Sequence, residues 1–132
     1  MIQYTAEQLK EAADENGFIQ VLSGMGAVPK VRIPMSNDFL DQPLDYLDLS
    51  TRAWNGLMRY GITNLRKLVE RLSTPGAMDN IRNFGKKTAA EVKCKLTEAA
   101  YLLLTDQEKL EFWEYFRTNS TAVPRYALYS HE

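Results

Sequence analysis

Apolar positions in this chain recur at helical spacing over most of its length, with one interval that breaks the pattern. Behind Thr5-Ala6-Glu7-Gln8, a capping-box sequence, Leu9, Ala12 and Ala13 share one face of a short helix, and Gly17 is placed to end it. Between residues 18 and 35 the spacing changes: Phe18, Ile19, Val21 and Leu22, then Val28, Val31 and Ile33, flank the turn-like Ser23-Gly24-Met25-Gly26. That pattern predicts two short strands in a hairpin, with Pro29 and Pro34 confining them to an edge. Ser36 to Pro43, rich in turn residues, reads as a linker. From Leu44 onward helical signals are dense. Ser50 is placed to cap a helix over about 51–60 with Trp54, Leu57 and Met58 inward and Gly61 as its stop. Thr63 is placed to cap a second helix carrying Leu65, Leu68, Val69 and Leu72, and Thr74-Pro75 to open a third. Thr88 starts a longer helix with Val92, Leu96, Ala99 and Leu103 in register. Thr105-Asp106-Gln107-Glu108 is another capping box, before a helix bearing Leu110, Trp113 and Phe116, and the last dozen residues read as irregular. The expected fold is mainly α, a compact helical bundle with a small N-terminal helix and hairpin attached.

The 132 residues suffice for one ordinary domain with short appendages, here expected as an N-terminal appendage (1–41), a helical module (42–104) and a C-terminal helix and tail (105–132). A composition of 45% hydrophobic and 25% charged residues is that of a soluble globular chain. No apolar run approaches the roughly 20 residues that span a bilayer, and the N-terminus lacks a signal-peptide layout, so a cytoplasmic protein without membrane partners is expected. A lone Cys94 leaves no internal disulfide, and with His131 as the only histidine a His/Cys metal site is almost excluded. Neither a Ser/His/Asp or Cys/His arrangement nor a phosphate loop for nucleotide hydrolysis is present; no enzyme, metal or cofactor is expected. The carboxylates Glu11, Asp14 and Glu15, and Glu108, Glu111 and Glu114, read as solvated helix faces. Phe112, Trp113, Tyr115 and Phe116 read as core packing, with a partner groove as the lesser alternative, and Cys94 reads as an inert thiol.

Charge redirects attention to the middle of the chain. The net is −1 with a pI near 5.9, unlike the strongly basic balance of many nucleic-acid binders. Yet residues 42–100 hold ten Lys/Arg against six Asp/Glu, a mildly basic module between acidic flanks. Within it, Arg82-Asn83-Phe84-Gly85-Lys86-Lys87-Thr88-Ala89-Ala90-Glu91 packs a glycine turn, two lysines and a Thr-x-x-Glu box into ten residues. Two readings fit. One is a plain helix junction with Thr88 as cap and solvated lysines. The other is a phosphate seat, in which exposed N–H groups near Thr88, with Lys86 and Lys87, hold a backbone that Asn83 also contacts. A second set, Arg52, Asn55 and Arg59, occupies one helical face at i, i+3 and i+7. It is either a solvated polar face or a groove-reading one, since arginine suits a narrow minor groove.

Taken in order, Leu47-Asp48-Leu49-Ser50-Thr51-Arg52-Ala53-Trp54-Asn55-Gly56-Leu57, Gly61-Ile62-Thr63-Asn64-Leu65 with Leu68-Val69, and Arg82 to Thr88 with Glu91-Val92-Lys93 resemble the C-terminal domain of the bacterial RNA polymerase alpha subunit. The resemblance covers roughly residues 42–103. It implies a helix-hairpin-helix-related fold that binds double-stranded DNA in the minor groove, often where it is A·T-rich, and touches RNA polymerase or transcription factors. By matching position it implies that Arg52 enters the groove and Asn55 supports it. Asn83, Gly85, Lys87 and Thr88 would supply the contacts from the turn and helix start, and Glu91 would serve the cap. Residues 1–41 do not resemble the alpha subunit's assembly domain, so a stand-alone relative is expected, located in the cytoplasm or on the nucleoid. Trp54 stands where the family usually has a small residue, and Gly56 where it usually has a side chain. Ser73-Thr74-Pro75-Gly76 inserts about two residues. With few cations, weak salt-sensitive affinity is expected, with a homodimer mate or protein partner as the second contact. The alternative function is a protein–protein interaction module that keeps the fold without DNA binding.

Overall fold

The capping signals place most of the helices. In a computed structural model, residues 4–25, 33–74, 78, 81–82 and 84–120 are described, and they contain no strand. The Thr5 box forms as expected, with the Thr5 hydroxyl accepting the Gln8 N–H and the Gln8 amide oxygen accepting the Thr5 N–H, and it opens α1 (Ala6–Asn16). Gly17 ends α1 at φ 97°, a conformation that glycine adopts without steric cost. The chain then enters α2 (Phe18–Met25), not the first strand of a hairpin. Phe18, Val21 and Leu22 fall at i, i+3 and i+4, so the same apolar run satisfies a helical face. The other half of the expected hairpin, over 26–32, lies outside the described residues.

The stretch expected as a linker is also structured. Ser36 caps a one-turn helix, α3 (Asn37–Leu40), which buries Phe39. A 3-10 turn over Leu44–Leu47 follows and ends at Asp48, whose left-handed backbone (φ 51°, ψ 52°) is of the kind Asp tolerates better than most residues. Ser50 caps α4 (Thr51–Arg59), which stops at Gly61 in a Schellman turn: the Gly61 N–H reaches the Met58 carbonyl and the Ile62 N–H the Leu57 carbonyl, both at 3.0 Å. The next cap is Asn64, not Thr63. Its side chain accepts the Lys67 N–H at 2.9 Å and opens α5 (Leu65–Leu72). Thr63 instead gives its carbonyl to the Leu44 N–H, while Gln42 gives its own to the Leu65 N–H. Arg66 of α5 reaches back to α3, pairing with Asp41 at 3.0 Å and with Asn37 at 3.3 Å. The start of the third expected helix, at Pro75, lies outside the described residues, as do residues 121–132. Then come α6 (Lys86–Leu102) and α7 (Asp106–Ser120), the latter opened by the Thr105–Glu108 box.

The chain divides into two compact units, residues 30–100 and residues 1–29 with 101–132. In the first, Leu44, Leu47, Ala53, Leu57, Ile62, Leu65, Leu68, Ile81, Val92 and Leu96 are buried. The α6 stripe therefore runs through Val92, Leu96 and Ala100, whereas Ala99 is half-buried and Leu103 is exposed beyond the helix end. In the second, α1 packs against α2 and α7. Its centre is aromatic: Phe18, Tyr101, Phe112, Trp113 and Phe116 form a network of ring contacts, with the Trp113 indole N–H donating to the Tyr101 hydroxyl at 2.7 Å. Burial raises the Tyr101 phenol pKa above its ordinary value, against the opposing pull of that hydrogen bond. No helix among the described residues is long and apolar enough to cross a membrane.

Candidate nucleic-acid interface

The candidate residues start from the beginnings of two helices. At α4, the Ser50 hydroxyl accepts the Ala53 N–H at 3.3 Å. A complete capping box needs a carboxylate or amide at position 53 to take the Ser50 N–H in return, and alanine has none. Glu91 of α6 supplies it from 41 residues away. One carboxylate oxygen accepts the Ser50 N–H at 2.7 Å and the other accepts the Ser50 hydroxyl at 2.8 Å. Hydrogen bonds to an ionised acceptor are the stronger kind, so the first turn of α4 is fastened to α6.

This arrangement replaces the Thr88–Glu91 box expected from sequence. α6 begins at Lys86, two residues early, with the Ala89 N–H bonding to the Gly85 carbonyl at 3.0 Å. Thr88 is thus inside the first turn and is not the cap, and Glu91 caps another helix. The N–H groups of Lys86, Lys87 and Thr88 precede the first intrahelical bond, and no acidic residue occupies that turn, which leaves a helix end of positive character.

Arg52, Asn55 and Arg59 are all exposed on one face of α4, beside the face that buries Ala53, Gly56 and Leu57. Trp54 and Met58, expected inward, are half-buried. Arg52 follows Ser50 by two residues and Thr88 precedes Glu91 by three, so the Ser50–Glu91 bonds join the helix start bearing Arg52 to the one bearing Lys86, Lys87 and Thr88. Gly85, Lys86 and Lys87 are exposed and Thr88 half-buried. Arg59 stands about 10 Å further along α4, at its C-terminal turn. Asn83 lies outside the described residues.

Two contacts set the attitude of α4 beneath these side chains. The Trp54 indole N–H donates to Asp45 at 2.7 Å, tying α4 to the 3-10 turn. Gly56 admits the ring of Phe84: a Cβ at position 56 would stand 2.8 Å from Phe84 Cδ1 and 3.0 Å from Cε1. Glycine here costs helix propensity of up to ~1 kcal/mol, and the close approach of the ring explains its presence. Gly56→Ala is accordingly expected to destabilise by about 1 kcal/mol net, because overpacking outweighs the gain in propensity. The loss should shrink or reverse in a Phe84→Leu background; urea midpoints of the single and double variants check it. Nearby, the Arg82 backbone N–H donates to the Tyr60 hydroxyl at 3.3 Å, and the Arg71 guanidinium lies 5.7 Å from the Tyr60 ring centre. Sequence reasoning missed Ser50 and Glu91 as a pair, Trp54 with Asp45, and Gly56 with Phe84. Each joins residues nine or more apart, beyond any local pattern.

The family model for the C-terminal domain of the bacterial RNA polymerase alpha subunit matches residues 32–98. DNA-directed RNA polymerase subunit alpha of Mycoplasmoides gallisepticum is 33% identical over 93 residues, which are 70% of this chain and 27% of that subunit. The subunit of Clavibacter michiganensis is 49% identical over 59 residues, 45% of this chain and 17% of the relative. That of Roseiflexus castenholzii is 32% identical over 102 residues, 77% of this chain and 29% of the relative. The chain thus spans less than a third of the length of these subunits. No solved structure gives a significant match.

Proposed function

Because the chain belongs to the family of C-terminal domains of the bacterial RNA polymerase alpha subunit, we propose that its residues 30–100 unit binds double-stranded DNA in transcription, through the minor groove and the flanking phosphates. Arg52 enters the groove, where an A·T-rich, narrow minor groove concentrates negative potential, and Asn55 supports it. Lys86, Lys87 and the N–H groups at the start of α6 hold the backbone; Gly85 keeps that approach open, and Thr88 and Asn83 add polar contacts. Arg59, further along α4, reaches an adjacent phosphate. The observation that carries the reading is the pair of bonds from Ser50 to Glu91, which fixes the groove-entering helix start against the phosphate-holding one. RNA polymerase, a transcription factor or a second copy of the chain supplies the additional contact that so few cations require, in the cytoplasm or on the nucleoid.

Fluorescence anisotropy on A·T-rich and G·C-rich duplexes at several salt concentrations tests this. Wild type is expected to bind at low salt with an A·T preference, and Arg52→Ala to lose at least about tenfold in affinity together with most of that preference. Lys87→Ala should weaken both duplexes alike and lower the salt slope by about 0.9. Absence of binding at low salt, or indifference to Arg52, would sink the minor-groove reading. Absence of binding favours the rival, a protein-interaction module that keeps the fold without DNA binding, for which the pI near 5.9 is the supporting observation.

A further inference from the structure

The unit that contains α1 and α7 has no part in the proposed DNA contact, and its chemistry is of the opposite sign. Between α1 and α2 runs a groove of about 640 Å³, lined by the apolar Leu9, Ala12 and Val21 and by the polar Gln8, Asn16 and Gln20. Gln8, Ala12 and Asn16 recur every four residues, so the groove follows α1 for more than two turns, about 12 Å. An elongated channel of this kind suits a peptide helix laid along it, with apolar side chains at every third and fourth position against the apolar lining. Tyr4, 59% exposed, borders one end and offers a further aromatic contact.

Charge identifies the occupant. α1 carries Glu7, Glu11, Asp14 and Glu15 against a single cation, Lys10, whose ammonium is already paired with Asp14 at 3.0 Å and Asp106 at 3.6 Å. α2 carries no charge. Glu11 and Glu15 follow Gln8 and Ala12 by three residues, which places them beside the groove-lining stripe, and both are exposed. Nucleic acid is repelled by such a rim, and a second copy docking through the same face would bring like charges together. We infer that the α1–α2 groove takes a basic amphipathic helix of a partner protein, with its apolar side on Leu9, Ala12 and Val21 and its Lys or Arg residues against Glu11 and Glu15. The inference is independent of the DNA reading.

The test uses the full chain and a fluorescein-labelled peptide of about 14 residues, enough for roughly four helical turns. The peptide is built from leucine and lysine as an amphipathic helix, beside a twin with glutamate for every lysine. The lysine peptide is expected to bind at least about tenfold more tightly than its twin. Ala12→Arg, which fills and recharges the groove, and the exposed pair Glu11→Lys/Glu15→Lys should each weaken it at least about tenfold with the helical circular dichroism retained. A matched reversal elsewhere, Glu70→Lys/Glu111→Lys, should change binding by less than about twofold. Equal binding of the two peptides, or an equal loss from the matched reversal, would overturn the inference. So would a dimer of the chain in sedimentation that Ala12→Arg dissolves, since the groove would then hold a second copy.

Discussion

Replacing Trp113 with alanine is expected to cost about 3–5 kcal/mol, the range for truncating a large buried aromatic. Trp113 has no exposed surface. Its ring lies 5.0 Å from that of Phe112, 5.5 Å from Phe18, 5.6 Å from Phe116 and 5.8 Å from Tyr101. A void there cannot collapse easily, because four other rings hold its walls. The truncation also leaves the buried Tyr101 hydroxyl without its donor at 2.7 Å, a second penalty. Trp113→Phe should separate the two terms, keeping most of the ring contact while losing the N–H, for about 1–3 kcal/mol. Since whole domains are stable by only about 5–15 kcal/mol, the alanine variant should lose much of its helical signal at modest urea. A midpoint shift equivalent to less than about 1 kcal/mol would show that the cluster is not the core of its unit.

Glu91→Ala carries the second large effect, and its sign is what makes it diagnostic. Removing a carboxylate from a DNA-binding surface should strengthen binding by simple electrostatics. The Glu91 carboxylate, however, holds both the Ser50 N–H and its hydroxyl. The expected result is therefore a fall in DNA affinity of about tenfold despite the gain of one positive charge. Stability should drop by about 1–2 kcal/mol, as for lost hydrogen bonds to a charged acceptor. Ser50→Ala removes the hydroxyl from the same junction, so a double-mutant cycle should return a coupling energy of about 1 kcal/mol between the two positions. Glu91→Gln, which can accept only one of the two donors, should fall between wild type and alanine. Affinity that rises on removing Glu91 would mean that the joined helix starts do not matter for binding.

The sequence was most legible where structure is local. The Thr5 and Thr105 boxes, the Ser50 cap and the stops at Gly17 and Gly61 follow from residues three or four apart, and each forms as expected. Reading failed where two local solutions compete or where the partner is distant. Phe18, Ile19, Val21 and Leu22 fit a short strand and a short helix alike, and the helix prevails beside Gly17. Thr63 and Asn64 are both competent caps; Asn64 takes the role while the Thr63 carbonyl serves the Leu44 N–H. Thr88-x-x-Glu91 has the form of a capping box, yet the better use of Glu91 lies on another helix, which no local window reveals. The exposed set Arg52, Asn55 and Arg59 was readable from periodicity alone, because an amphipathic helix announces its outer face. Why that face holds its position was not readable, since Trp54, Gly56 and Glu91 act through Asp45, Phe84 and Ser50.

The fit of Phe84 over Gly56 also constrains how this surface can evolve. A side chain arriving first at position 56 meets a ring 2.8 Å away, whereas a smaller residue arriving first at position 84 meets no such obstacle. The two steps are thus accessible in one order and hindered in the other. A lineage that exchanges Phe84 for a smaller residue opens position 56 to residues with stronger helix propensity. One that keeps the ring stays committed to glycine within the helix that carries Arg52.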